Sequence, residues 1–283
     1  MAQNGPSPEE VRRHAEGVVR KASAPFERLA RAGYAAYGTV YVLVGVLAVQ
    51  AALGGDGKTT SQEGALRSVL FAPLGRVLLG TIVIGLLAYA TWRLFQGMLD
   101  PENEGRDAKG IVKRVDHVLN GLFHAALAFS AGQLVLGSGG GDGGSPDDWT
   151  ARLMAQPFGR WLTVVVGAVI VGAGIYQLYK AHRADFRDEL KSGEMSAWEK
   201  AWATRSGRLG YAARGVVFGV IGVYLVQAAL QADPDETRGL GGALQILARQ
   251  PFGRYLLGAV AIGLVAYGVF MFVMAIYRRI EPT

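Results

Sequence analysis

The chain has 283 residues, of which 51% are hydrophobic and only 18% charged, with a formal net charge of +6 and no cysteine. A soluble domain carries about 25% charged residues, so the apolar surplus must face something other than water. The lack of cysteine excludes disulfides, thiolate metal sites and cysteine nucleophiles.

Residues 1–30 are charged and have no apolar core of a signal peptide, so the first apolar stretch is expected to direct insertion. They read as a cytoplasmic amphipathic helix with Val11, Ala15, Val18, Ala22 and Leu29 on one stripe. Six stretches free of Asp, Glu, Lys and Arg follow, at 33–53, 77–92, 117–137, 161–179, 215–232 and 255–277. At a rise of about 1.5 Å per residue they span roughly 24 to 35 Å, which brackets a hydrocarbon core of about 30 Å. The 77–92 stretch is the shortest and reaches full span if Arg76 and Arg93 lie near the two interfaces with their heads in water. Glycine contributes 40 residues, about twice the usual share of ~7%. Small residues such as the Gly215 and Gly219 pair let helix backbones approach closely in lipid.

The stretches repeat in pairs. Arg31, Arg114 and Arg208 are each followed, seven residues on, by Gly38, Gly121 and Gly215, and nineteen residues on by Gln50, Gln133 and Gln227. The second stretch of each pair opens with Pro73-Leu74-Gly75-Arg76, Pro157-Phe158-Gly159-Arg160 or Pro251-Phe252-Gly253-Arg254. Proline there suits a first helical turn, where its missing N–H is not needed. Between the paired stretches lie short amphipathic segments, 61–72, 145–156 and 237–250, expected to rest on the membrane surface. Ser145 with Pro146, Asp147 and Asp148 reads as a helix start, and the glycine run 137–144 as a tether.

These boundaries divide the chain into repeat 1 (31–101, with an outer surface helix), repeat 2 (114–182), a second cytoplasmic amphipathic helix (183–205) and repeat 3 (208–280). The fold class is all-α: a polytopic integral membrane protein with six transmembrane helices in three tandem two-helix repeats around a pseudo-threefold axis. Leaving aside Arg93 and Arg214, nineteen Lys and Arg fall on the side of the termini and eight in the intra-repeat loops. Both termini are therefore expected in the cytoplasm and the protein in a bacterial inner membrane.

The arginine-glycine-aromatic opening of the odd helices (Arg31, Gly33, Tyr34; Arg208, Gly210, Tyr211) and the Pro-x-Gly-Arg opening of the even ones carry a resemblance. The chain resembles the bacterial membrane family of domain of unknown function 1206, in which a two-helix domain occurs in three copies. The resemblance covers Arg28 to Ile280 and implies a multi-pass bacterial protein, with no activity, cofactor or substrate attached. Repeat 2 departs from the pattern, with Asp116 and His117 in place of the Gly-Tyr pair.

Polar groups at membrane depth are costly and are candidate sites. Gln50, Gln133 and Gln227, with Arg214, Asn120 and Tyr37, form a candidate polar axis; the amides could equally bond helix to helix. Arg214 is expected to extend to the cytoplasmic interface or pair with Asp116, or else to line a polar cavity with Asn120 and Tyr37. His117, aligned with Tyr34 and Tyr211, is expected to act as an interfacial aromatic. Arg76, Arg160 and Arg254 stand at the positive ends of their own helices and need compensation. They form a candidate ring for outer anions or lipid headgroups, with Asp147, Asp148, Asp235 and Glu236 as further counter-charges. No catalytic constellation, cofactor motif or metal motif is present. The expected function is non-enzymatic, structural or regulatory, binding membrane lipid or a protein partner and no nucleic acid. The alternative is transport of a small solute or ion along the axis.

Overall fold

In a computed structural model, residues 8–279 are described apart from 55–58, 60, 101–104, 106 and 138–145, with side chains from residue 27 onward other than 109, 146–149 and 236. The stripe at residues 11–22, the glycine tether, Ser145 and the side chains of Asp147, Asp148 and Glu236 lie outside what is described. The elements are α1 (Pro8–Ala52), α2 (Gln62–Leu70), α3 (Gly75–Leu99), α4 (Ala108–Leu136), α5 (Pro146–Met154), α6 (Gly159–Arg183), α7 (Ala197–Gln231), α8 (Leu240–Arg249) and α9 (Gly253–Tyr277). Six of them, α1, α3, α4, α6, α7 and α9, are long and apolar enough to cross a membrane. A helix satisfies every backbone hydrogen bond within itself, which lipid demands. The protein is a multi-pass membrane protein built from three two-helix repeats. The start of the first span and the end of α9 lie on one face, the terminal face; α2, α5 and α8 lie on the other, the connector face.

Two expectations are corrected. The N-terminal helix is not a separate element, since α1 runs unbroken for 45 residues into the first span. The second amphipathic helix starts only at Ala197 and continues directly into the fifth span; Asp185–Glu189 and Ser192–Glu194 are short 3-10 turns. The cause is tertiary. Phe186 is fully buried against Tyr211 and Phe270, and Leu190 forms an antiparallel bridge with Arg278. Ser196 then caps α7 through a reciprocal box with Glu199, at 3.3 and 2.7 Å.

Each even helix begins at the same corner. Leu74, Phe158 and Phe252 adopt left-handed backbone, with φ of 59°, 61° and 60°. A Cβ on Gly75, Gly159 or Gly253 would lie 2.2, 1.9 or 2.1 Å from a carbonyl oxygen of the preceding connector helix, so only glycine fits. The helix therefore starts at the glycine, and the proline stands two residues earlier, outside the first turn where it was expected.

Every repeat packs its even helix on the odd helix of the next repeat, giving the pairs α3/α4, α6/α7 and α9/α1. Gly38, Gly121 and Gly215 make these contacts possible. A Cβ at each would come within 2.8, 3.1 and 2.9 Å of the carbonyls of Gly268, Ala90 and Gly174, which are equivalent residues of the partner helices. Within repeats the two helices also pack in repeat 1 (α1/α3) and repeat 3 (α7/α9), but α4 and α6 of repeat 2 share no extended contact. The helices thus follow each other in an arc, α4–α3–α1–α9–α7–α6, and the pseudo-threefold axis expected from the repeat is not closed between α4 and α6. Only 17% of the apolar stretch of α6 and 28% of that of α4 is buried, against 44–56% for the other four.

The connector helices α2 and α8 dock on the bundle by their apolar sides. Ala65 and Leu66 of α2 and Ala243 and Leu244 of α8 are fully buried, because the apolar side of each short helix covers the ends of the spans.

Candidate functional site

The arginines at the helix openings answer their own electrostatic problem. Antiparallel packing sets the positive start of one helix beside the negative end of its neighbour. Arg254 donates from Nε to the carbonyl of Ala52 (2.8 Å), and Arg160 donates to Ala229 and Leu230 (both 3.0 Å), all at the ends of odd helices. Arg76 stands at the equivalent end of α4, its Nη2 3.8 Å from where a Gly137 Cβ would be. The terminal face repeats the device, with Arg114 donating to Gly97 and Met98 (3.0 and 3.1 Å) and Arg31 to Ala275 and Ile276. For Arg160 and Arg254 the compensation expected from phosphates or loop acids is supplied by backbone carbonyls that a helix end leaves unpaired.

Inside the bundle, toward the terminal face, five helices bring aromatic and cationic side chains together. Tyr37 and Tyr41 come from α1, Tyr89 from α3, His124 from α4, Arg214 from α7 and Tyr267 from α9. The rings of Tyr37 and Tyr89 are 4.7 Å apart, His124 meets them at 4.4 and 4.7 Å, and Tyr41 meets Tyr267 at 4.9 Å. Arg214 is only 7% exposed. One of its Nη groups donates to the Tyr267 hydroxyl, and its guanidinium lies over the rings of Tyr267 (4.5 Å), Phe218 (5.1 Å) and Tyr41 (5.6 Å). It neither extends to the interface nor pairs with Asp116. The cause is the cage itself, since ring faces attract a desolvated guanidinium.

Arg93 closes the other side of the cluster. It was expected at the interface, yet it turns inward and donates to the Tyr89 hydroxyl (2.9 Å) and to Gln96 (3.1 Å), with His117 Nδ1 at 3.1 Å. His117 is therefore a partner of an inward arginine, which its alignment with two tyrosines did not reveal. Beyond it on the terminal face, Glu189 accepts from Lys180 Nζ (2.8 Å) and Arg278 Nη1 (2.9 Å). Burial alone would raise the Glu189 pKa, but Lys180 and then Arg278 hold it well below the ordinary carboxylate range.

The residues read as a polar axis are thus divided. Tyr37 and Arg214 belong to one cluster. Asn120 instead bonds to Asp116, through its carbonyl (3.0 Å) and carboxylate (3.1 Å), and touches the cluster only by its own carbonyl, 2.7 Å from His124 Nδ1. Gln50 and Gln227 are exposed and Gln133 is half-buried. Sequence reading missed Tyr41, Tyr89, Tyr267 and His124 as a group. The available signal was that Tyr89 and Tyr267 stand sixteen residues after Pro73 and Pro251, where repeat 2 has Ala173. Among the described residues no group of three or more His, Asp or Glu is placed to hold a metal ion.

Two grooves open on the surface. One, of about 400 Å³, runs between the connector ends of α6 and α7, lined by Met154, Phe158, Arg160, Trp161, Val164 and Leu230. The other, of about 300 Å³, lies between α3 and α4 and includes Gly97, Arg114 and Val118.

Known proteins agree with the repeat. A Bacillus subtilis (strain 168) protein described as "Uncharacterized protein YxxB" is 36% identical over 262 residues, covering 92% of this chain and 94% of its own length. No solved structure matches. The profile described as Domain of Unknown Function (DUF1206) matches three times, at residues 32–100, 115–184 and 209–278, one match per repeat. The chain belongs to the DUF1206 family.

Proposed function

We propose that the protein is a non-enzymatic membrane scaffold that binds lipid at its connector face, in a bacterial inner membrane with both termini in the cytoplasm. The observation that carries this reading is the groove between α6 and α7, whose walls are apolar and whose rim holds Arg160 and Trp161. An acyl chain fits the walls, and a phosphate suits a guanidinium already held in place by two carbonyls. Exposed apolar residues surround the same level: Leu74, Phe158 and Phe252 at the corners, and Val77, Trp161 and Tyr255 just after the arginines. Aromatic residues at that depth favour the interface between headgroups and acyl chains. The surplus of Lys and Arg on the terminal face supports the orientation.

The test is native mass spectrometry of the purified chain. A Val164→Trp variant, which fills the groove, is expected to retain fewer phospholipids than the wild type; equal retention would reject the groove as a lipid site. Transport is the second reading, and the buried Arg214 is the observation in its favour. Tyr37, Tyr89, Phe270, Leu264 and Met271 of the bundle interior are all under 2% exposed, which argues against a continuous water-filled path. Proton, potassium and chloride flux into proteoliposomes is expected to be absent. Flux that disappears in the Gln50→Leu, Gln133→Leu, Gln227→Leu triple variant would establish transport instead.

A further inference from the structure

The cluster around Arg214 has more hydrogen-bond donors than acceptors. Among the described residues no carboxylate pairs with Arg214, and its Nε has no hydrogen-bond partner. The Tyr267 hydroxyl already receives a bond from Arg214. Tyr41 receives one from Tyr37 at 3.3 Å. Among the described residues the Tyr267 hydroxyl proton then has no hydrogen-bond acceptor, and the Tyr37–Tyr41 pair leaves one of its two protons in the same state. His124, 1% exposed, donates from Nδ1 to the Asn120 carbonyl, and its Nε2 is left as an unpartnered acceptor. On the far side Arg93, held on neutral groups, adds a second positive charge with no carboxylate of the described residues within ion-pair distance. A guanidinium can only donate. A buried charge left uncompensated is costly in protein and in lipid alike.

We propose that Arg214 anchors an internal oxyanion site, with Tyr267 and Tyr41 as hydroxyl donors, which accepts the carboxylate or phosphate of an anionic ligand. The walls are aromatic, which suits an amphiphile whose apolar part remains in the bilayer. The side of repeat 2, where α4 and α6 do not pack along each other, gives such a molecule a route from the lipid. This site is distinct from the groove at Arg160. It lies toward the opposite face and uses none of the same residues.

The experiment measures thermal unfolding of the full chain in nanodiscs of neutral lipid, titrated separately with oleate, phosphatidic acid, inorganic phosphate and diacylglycerol. At least one of the three oxyanions is expected to raise the wild-type Tm by several degrees, while diacylglycerol does not. A response to oleate or phosphatidic acid alone identifies a lipid ligand, and a response to inorganic phosphate identifies a free anion; either supports the site. Arg214→Gln is expected to abolish the response. Tyr267→Phe keeps the ring, guards against a variant that fails to fold, and is expected to weaken binding about tenfold, the loss of one charge-assisted hydrogen bond. Val164→Trp is expected to leave the response intact, which separates this site from the groove. No oxyanion response in the wild type, an equal response to diacylglycerol, or unchanged affinity in Tyr267→Phe would overturn the proposal.

Discussion

Repeats 1 and 3 close on themselves, and repeat 2 does not. In the closed repeats the two helices meet at two glycine contacts. A Cβ on Gly33 would lie 2.6 Å from the Tyr89 backbone and one on Gly210 2.5 Å from that of Tyr267. A Cβ on Gly85 or Gly263 would lie 2.4 or 2.5 Å from the Cβ of Ala36 or Ala213. Repeat 2 has Asp116 where the others have Gly33 and Gly210, and Leu119 with Val169 where they have the alanine-glycine pairs. Leu119 and Val169 are 55% and 58% exposed, so these larger side chains face outward and do not interlock. The inter-repeat contacts retain their glycine in all three copies and close in all three. Contact in lipid therefore follows small residues one position at a time, because the hydrophobic effect does not drive helices together there.

The strongest way to break the contrast is to give a closed repeat the residue of the open one. Gly210→Asp places a carboxylate against the Tyr267 backbone and is expected to cost more than about 4 kcal/mol, the range of severe core overpacking with a buried charge. The reverse change, Asp116→Gly, leaves Leu119 and Val169 in place and is expected to alter stability by less than about 0.5 kcal/mol. Unfolding of both variants in mixed micelles by SDS gives the comparison.

Repeat 2 is joined to repeat 3 by the Phe186 turn, which occupies the notch at Gly207. Phe186→Ala is expected to cost about 3–5 kcal/mol and to free the terminal end of α6 from α7, read as faster proteolysis of the 184–195 linker. The arginine contacts are smaller. Arg254→Ala, which removes the bonds to Ala52 and Leu53, is expected to cost about 1.5–3 kcal/mol. Arg254→Lys is expected to recover only part of it, because an ammonium lacks the planar fork.

Glu189 gives the most condition-dependent effect. Its pKa in the folded protein lies below its ordinary value of 4.5. Its contribution is therefore complete above that value and is lost as pH falls from there toward the folded pKa. Thermal unfolding from pH 7 to pH 3 is expected to show this acid-dependent loss in the wild type. Glu189→Gln is expected to be less stable at pH 7 and to lack this part of the dependence.

The spans, the repeat and the family were legible because hydropathy and a recurring Arg-Gly register are local properties of the sequence. The Asp116–His117 departure marked the unusual repeat, but its consequence depends on Gly33 meeting Tyr89, a contact between residues 56 positions apart. Arg160 and Arg254 looked like free cations for the same reason: their carbonyl partners lie 69 and 202 residues away. Arg93 and Arg214 looked like residues that reach for water, because a cage drawn from five helices has no signature in any one of them.

Engineered cysteine pairs test the open seam most directly, since the chain has no cysteine of its own. The Ala52 Cβ and a Cβ placed on Gly258 are 3.7 Å apart across α1 and α9, close to the disulfide mean of about 3.8 Å. In native membranes the Ala52→Cys, Gly258→Cys pair is predicted to oxidise to a disulfide, and the Leu119→Cys, Val169→Cys pair across α4 and α6 to remain reduced. Oxidation of the second pair as fast as the first would contradict the account.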